Sequence, residues 1–63
     1  MPFIEVRAFE ERFTDDDKAQ LLIERLTGAF ASVYGEDVGA ETEVVLVGVP
    51  RERWGFGGRR RLP

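Results

Sequence analysis

Residues 42–49 read TEVVLVGV, a run in which β-branched apolar side chains dominate without alternating with polar ones. A run of this kind is typical of a strand that is covered on both faces, as in a parallel sheet. Pro50 follows directly, and because proline cannot donate to a strand ladder, we predict that the strand ends before it. This strand is the second of two in the predicted fold, and the chain before it supplies a helix and the first strand.

The helix is predicted to run from an N-cap at Thr14 to about Tyr34. The acids Asp15–Asp17 lie where the positive end of a helix dipole favours negative charge. Gly28, inside the helix, is unfavourable relative to alanine, and a close approach between helix and sheet would explain it. Gly35 fits the left-handed position just beyond the helix end. Apolar residues at helical spacing form one predicted stripe: Leu22, Leu26, Ala29, Phe30 and Val33.

Residues 2–9 read PFIEVRAF and carry the period-two pattern of a first strand. Residues 10–13 are a polar connection to the helix, and residues 36–41 are a predicted loop before the second strand. Strand, helix and strand in this order predict one right-handed βαβ unit with parallel strands. The fold class is therefore α/β (α+β), in a single domain over residues 1–63.

The chain after Pro50 combines aromatic residues, glycines and arginines. Residues 51–58 read RERWGFGG and predict a tight hairpin or loop, while residues 59–63 are interpreted as a basic tail, more often solvated than bound to an acidic partner. The glycines do not form a phosphate-binding loop, because no helix follows them. Trp54 and Phe56 are difficult to hide inside so short a chain, so we expect them to form an oligomer contact, a pocket wall, or both.

Size and composition restrict the possible functions. A chain of 63 residues buries only about 60% of its unfolded surface and is marginally stable alone. It has no cysteine and no histidine, which excludes disulfides and the common soft-metal sites. Oligomerisation is the remaining way to stabilise such a domain, and the hydrophobic content of 43% supplies the surface for it.

The charge and hydropathy patterns bear on partners and location. The net charge of −3 argues against general nucleic-acid binding. No apolar run approaches the length of about 18 residues that a membrane span requires, and no signal peptide is recognisable, so we expect a soluble cytoplasmic protein with no membrane partner.

The N-terminus offers a possible catalytic group. Methionine is usually trimmed when the next residue is as small as proline, which would leave Pro2 with a free secondary amine. An α-amino group has an ordinary pKa of roughly 7.7–8.0, and cations or an apolar pocket lower it. In a chain without histidine or cysteine, this amine is the natural base at neutral pH. The alternative is that the Met-Pro pair is a coincidence.

The Met-Pro start, the βαβ unit, Arg12 and the sequence ERWGFGG at 52–58 together resemble the 4-oxalocrotonate tautomerase family. The resemblance covers Pro2 to Gly58, and its most specific element is an aromatic-Gly-x-Gly-Gly motif about fifty residues after an N-terminal proline.

The resemblance implies a cofactor-free tautomerase of 2-hydroxydienoate or enol-pyruvate type carboxylic acids. Pro2 would be the general base and acid, Arg12 would bind the carboxylate end of the substrate, and Trp54, with Phe56, would wall the pocket and lower the pKa of the proline. We therefore expect Pro2 to lie next to Arg12 and Trp54. The resemblance also implies a tautomerase fold in which sheets join in dimers, three dimers form a homo-hexamer, and the C-terminal hairpin reaches a neighbouring subunit.

One position departs from the family pattern. The family carries a second substrate-binding arginine eleven residues before the aromatic, where this chain has Glu43. A carboxylate there repels a dicarboxylate, which favours a monocarboxylate such as an arylpyruvate enol, unless Arg7, Arg51 or Arg53 compensates. Two alternatives stay open. The chain could be a family hydratase or dehalogenase, in which a carboxylate activates water, or a non-catalytic subunit of a hetero-oligomer.

Overall fold

The computed structural model describes residues 1–61 and shows a strand–helix–strand unit followed by a small hairpin. In chain order the elements are β1 (Phe3–Phe9), a 3-10 turn (Glu10–Phe13), α1 (Asp16–Tyr34), α2 (Glu36–Ala40), β2 (Glu43–Val49), a second 3-10 turn (Arg51–Arg53), β3 (Gly55–Phe56) and β4 (Arg59–Arg60). The predicted α+β class and βαβ unit are confirmed. Arg59 and Arg60 form β4 instead of a tail, and residues 62 and 63 of the predicted tail lie outside the described residues.

The two long strands pair in parallel and in register. Phe3 is opposite Glu43 at one end of the sheet, and Phe9 is opposite Val49 at the other. The strand predicted to end before Pro50 does so at Val49. Because the strands are parallel, both carboxyl ends meet at one edge of the sheet, and both 3-10 turns follow from that edge.

The helix begins one residue later than predicted, because Asp15 is the N-cap. Its carboxylate accepts hydrogen bonds from the backbone N–H groups of Asp17 at 3.0 Å and Lys18 at 3.2 Å. The Thr14 hydroxyl instead donates to the carbonyl oxygen of Glu11, at 3.2 Å, and closes the preceding turn. The predicted helix end is confirmed: Gly35 has a φ of +101° and donates to the carbonyl oxygen of Ala31 at 2.8 Å.

The predicted apolar stripe of α1 is confirmed in part. Leu22, Leu26 and Phe30 are half-buried, whereas Ala29 is exposed and Val33 is 71% exposed. The reason is that the sheet is only two strands wide, so the helix covers a narrow strip and leaves part of its apolar surface open. The half-buried residues of α1 follow helical spacing: Ala19, Leu22, Ile23, Leu26, Thr27, Phe30 and Ala31.

The segment predicted as a loop before β2 is the short helix α2, and the close approach occurs there. Gly39 is buried, and a methyl group added to it would lie 2.6 Å from the Cβ of Ala31 on α1. A methyl group added to Gly28, which we predicted to mark a close approach, would have no atom of residues 1–61 within 4 Å beyond its own stretch of helix. Only a residue without a side chain lets α2 pack against α1 at this point.

Only one face of the sheet is covered. Within residues 1–61 no hydrophobic side chain is buried, and the face opposite α1 carries Phe3, 57% exposed, and Val45, 40% exposed. The expectation that the second strand is covered on both faces is therefore wrong for a single chain, since within residues 1–61 α1 is the only layer packed on it. No helix within the described part of the chain is long and apolar enough to cross a membrane.

The C-terminal hairpin has the glycine chemistry that the sequence predicts. Phe56 pairs with Arg59 across a two-residue turn in which Gly57 and Gly58 have φ values of +61° and +84°. Positive φ at both central residues matches the twist of a tight hairpin and favours glycine at both positions.

We expect alanine at Gly39 and at Gly28 to change stability in opposite directions. Gly39→Ala forces the Ala31 backbone or α2 to move and should cost about 1–3 kcal/mol, the usual cost of overpacking. Gly28→Ala meets open space inside a helix and should stabilise by about 1 kcal/mol. Urea denaturation of the two variants measures both effects. A loss of stability at Gly28 would contradict the open surface seen beside α1.

Candidate active site

A cleft of about 270 Å³ lies at the carboxyl edge of the sheet. The residues that line it are Arg7, Val49, Arg53, Trp54 and Gly55. They come from the last part of β1, the end of β2, and the turn that leads into the hairpin. The parallel register is what assembles these distant segments, because Arg7 pairs with Val47, two residues before Val49.

Trp54 is fixed in the cleft by contacts on several sides. Its ring packs edge-on against Phe9, with centroids 5.0 Å apart and an angle of 62° between the planes. Its backbone N–H donates to the carbonyl oxygen of Arg51 at 3.2 Å, and its own carbonyl oxygen accepts from Arg61 at 2.6 Å. An aromatic ring held in this way provides a rigid apolar wall.

An ion pair anchors the turn that carries Trp54. The Nε of Arg51 donates to both carboxylate oxygens of Glu11, at 2.9 and 3.1 Å, and Nη2 adds a further bond to Oε1. The guanidinium carbon lies 4.0 Å from the centroid of the Phe9 ring, a cation–π contact. The hydrogen bond from Arg51 lowers the pKa of Glu11, with a smaller contribution from the charge of Arg12. The charge of Arg51 is therefore engaged by Glu11.

The two arginines that line the cleft make fewer hydrogen bonds to the protein than Arg51 does. The Nε of Arg7 donates to Oε2 of Glu5 at 2.6 Å, and the Arg7 side chain is 66% exposed. Arg53 makes no side-chain hydrogen bond or ion pair with any residue from 1 to 61. Among residues 1–61 no carboxylate lines the cleft, so the described wall is cationic and apolar. No cluster of three or more acids within the described chain is placed to hold a metal ion.

The structure brings together only part of the predicted site. Trp54 lines the cleft, whereas Phe56 on β3 is 77% exposed and does not. Arg12 is exposed on the first 3-10 turn and is not among the lining residues. Arg7 and Arg53, which the sequence analysis named with Arg51 only as possible replacements for the missing second arginine, both line the cleft. The available signals were that Arg53 precedes Trp54 directly and that Arg7 shares the strand face of Phe9.

Pro2 lies at the opposite end of the sheet. Its carbonyl oxygen accepts a hydrogen bond from the N–H of Glu43, at 3.0 Å, where β2 begins. Trp54 contacts Phe9 at the far end of β1, and a seven-residue strand at about 3.3 Å per residue separates the two by about 20 Å. Pro2 and Trp54 therefore do not meet within one chain, and their proximity in an assembly of chains stays a prediction.

Met1, which precedes Pro2, is largely exposed. Met1 is 85% exposed, and β1 begins only at Phe3. Removal of Met1 would therefore cost the fold no buried side chain and would convert the nitrogen of Pro2 from an amide to a secondary amine.

A comparison with protein-family models identifies the family of the chain. A model described as "Tautomerase enzyme" matches residues 2–61. The chain belongs to the tautomerase family. Family membership points to an isomerase, and the match runs from Pro2 through the C-terminal hairpin of this tautomerase-family chain. No curated protein and no solved structure matches the chain.

We expect the Glu11–Arg51 pair to give an acid-sensitive contribution to stability. The pKa of Glu11 is lowered in the folded chain, so its contribution is present above the unfolded pKa, about 4.3, and is lost as pH falls through the folded pKa. Glu11→Gln should lower the melting temperature at pH 7, and the difference from the unmodified chain should disappear at acidic pH. Glu52→Gln, an exposed acid on the neighbouring turn, is the control and should show no such dependence. A constant offset at all pH values for Glu11→Gln would contradict the ionic origin.

Proposed function

We propose that this tautomerase-family chain is a cofactor-free keto–enol tautomerase of the 4-oxalocrotonate tautomerase type. Its substrates are enol-pyruvate or 2-hydroxydienoate carboxylic acids, and Pro2, freed by removal of Met1, is the general base and acid. The observation that carries the proposal is the cleft at Trp54, which combines two guanidinium groups with an indole wall and, among residues 1–61, has no carboxylate in its lining. The family match beginning at Pro2 supports it.

The chemistry requires a proton carrier and a cation. The neutral Pro2 nitrogen accepts the proton of the enol hydroxyl, and the resulting ammonium delivers a proton to the substrate carbon, so the net change is an isomerisation. A cation stabilises the enolate that develops between these steps. Arg12 is proposed for this role, because it follows β1 at the edge of the sheet where the cleft lies. Trp54 keeps water away and strengthens both electrostatic effects.

This mechanism needs two chains. Pro2 and Trp54 lie about 20 Å apart along β1, and a cleft of about 270 Å³ holds only a small acid, which cannot reach both ends of the sheet. We therefore propose that Pro2 of one subunit meets the cleft of another. The uncovered sheet face supplies the apolar surface for such contacts, with Phe3 and Val45 exposed on it. A homo-hexamer built as a trimer of dimers is the proposed assembly, and a hetero-oligomer is the alternative.

A second candidate is a hydratase or dehalogenase of the same family. The observation in its favour is that Glu43 begins β2 directly beside Pro2, with an exposed side chain. A carboxylate near the proline could activate a water molecule, while the proline ammonium donates its proton to carbon. Water addition to an unsaturated acid, measured alongside enol disappearance, separates the two reactions.

We expect activity to depend on the free amine of Pro2. Protein that retains Met1 has an amide nitrogen at Pro2, and its rate should fall by roughly 10²- to 10⁴-fold, the usual contribution of a general base. In the trimmed protein the ascending limb of kcat/KM should report an amine pKa below about 7.7–8.0, lowered by cations and desolvation. The measurement is a pH–rate profile on phenylenolpyruvate with both forms, checked by intact-mass spectrometry. Equal rates would exclude Pro2 from the mechanism.

We expect two inactive variants to restore activity when they assemble together. One chain retains Met1 and keeps Trp54, and the other is trimmed and carries Trp54→Ala. If Pro2 and Trp54 act from different subunits, co-expression creates native sites that neither variant forms alone. The rate per chain should rise well above the mean of the two pure variants, at equal oligomeric state.

The control for this experiment mixes the Met1-retained chain with a Met1-retained Trp54→Ala chain, which contains no free Pro2. Absence of recovery in the first mixture, with active trimmed protein, would place the whole site within one subunit. Absence of activity in trimmed unmodified protein would favour a non-catalytic subunit.

A further inference from the structure

We propose that Arg7 and Arg53 form the carboxylate-binding pair of this site and select a small monocarboxylate 2-oxo or enol acid with an apolar substituent. The substituent would lie against Trp54 and Val49. The inference rests on the proposed function, since it names the ligand of the same cleft. It assigns the carboxylate to these two residues and not to Arg12, because Arg12 does not line the cleft.

Arg7 is positioned for this role by its neighbour on the strand. Its Nε is engaged by Glu5 at 2.6 Å, while its terminal nitrogens make no hydrogen bond with residues 1–61. These nitrogens are the donors that grip a carboxylate in a bidentate arrangement. Arg7 therefore has one side of its guanidinium fixed by the protein, and its remaining donors are available to a ligand.

Arg53 differs from its neighbour Arg51 in a way that separates their functions. Arg51 is paired with Glu11 and stacked on Phe9, so its donors are occupied by the fold. The Arg53 backbone N–H bonds to the carbonyl oxygen of Pro50 at 2.9 Å, which fixes its turn, but its side chain has no protein partner within the described chain. Of these two arginines, the one that lines the cleft is the unpaired one.

The charge and size of the cleft specify the class of acid. The chain has a net charge of −3, yet among residues 1–61 the lining contains two cations and no acid, and Glu5, which pairs with Arg7, is not a lining residue. At about 270 Å³ the cleft lies just below the range of roughly 300–1,000 Å³ that is usual for drug-sized ligands, which indicates a small molecule. With both arginines at one carboxylate, a second carboxylate would lie against Trp54 or Val49 without a cation, and burying an unpaired charge is costly. A monocarboxylate is therefore preferred.

Trp54 is the sole tryptophan, so its fluorescence reports directly on the cleft. The probe is phenylacetate, an unreactive aromatic monocarboxylate, and its matched neutral analogue is phenylacetamide. We expect phenylacetate to change the emission saturably and to bind at least tenfold more tightly than phenylacetamide. Glutarate, a dicarboxylate, should bind more weakly than phenylacetate. Tighter binding of glutarate would overturn the monocarboxylate class, and equal binding of phenylacetate and phenylacetamide would overturn the anion site.

The variants test the two arginines separately. Arg7→Met and Arg53→Met should each weaken phenylacetate binding tenfold or more and raise KM for phenylenolpyruvate more than they lower kcat. Arg7→Lys keeps the charge but loses the bidentate fork, so it should fall between Arg7→Met and the unmodified chain, and it serves as the test if Arg7→Met does not fold. Arg25→Met, on the exposed part of α1, is the control and should leave binding unchanged. If Arg25→Met weakened binding as much as Arg53→Met, the effect would come from the net charge of the protein and not from the cleft, which would overturn the inference.

The design separates this inference from the proposed function. Binding of an unreactive acid does not require a free Pro2 amine, so the titration is run with trimmed and Met1-retained protein. Arginine-dependent binding in a trimmed protein that turns over no enol acid would support the anion site and overturn the tautomerase proposal. Normal KM values in both Arg7→Met and Arg53→Met, in an active enzyme, would overturn the anion site and leave the tautomerase proposal intact.

Discussion

The parallel pairing of β1 with β2 is the constraint on which the rest of the structure depends. Parallel strands require a crossover, and α1 with α2 supplies it on one face of the sheet. The same pairing gathers both carboxyl ends at one edge, where the two 3-10 turns begin. The cleft forms at this edge because the chain changes direction there after β1 and again after β2. Pro2 lies at the opposite edge because it precedes β1.

The cleft edge is held by a short series of contacts between segments far apart in the chain. Glu11 on the first turn binds Arg51 on the second, Arg51 stacks on Phe9, and Phe9 packs against Trp54. Each contact joins the end of β1 to the turn after β2. The ion pair is exposed and so contributes little to overall stability, but it fixes the turn that presents Trp54 and Arg53. Its importance is therefore in the geometry of the cleft.

The fold and the proposed site are incomplete in the same way. A two-stranded sheet with one helical layer leaves an apolar face open, and within residues 1–61 no hydrophobic side chain is buried. The proposed chemistry likewise lacks its base at the cleft, since Pro2 lies at the far edge. Association of chains would supply both missing parts at once, because a neighbouring subunit that covers the open face can also bring its own N-terminus to the cleft. Stability and catalysis would then depend on the same interface.

The sequence by itself determined the features that depend on local pattern. The period-two strand at 2–9, the continuous apolar run at 42–49 and the paired glycines of the hairpin each specify a conformation through nearby residues. They sufficed for the βαβ order, the strand end before Pro50 and the tight C-terminal hairpin. Residue type alone did not distinguish Asp15 from Thr14 as the N-cap, because both types are good caps; the hydrogen bond from the Thr14 hydroxyl to the Glu11 carbonyl oxygen in the preceding turn leaves this role to Asp15.

Tertiary structure alone decided which residues meet. Gly39 and not Gly28 lies at the close approach, because the approach is made by α2, whose position depends on α1. Arg7 and Arg53 share a cleft, while Arg51 is neutralised by Glu11, because the register of β1 against β2 places positions 40 or more residues apart side by side. Three arginines with the same side chain are thus placed in different environments. The physical reason is that periodicity and turn chemistry act between neighbours in the chain, whereas the environment of a charge is set by the groups that folding brings near it.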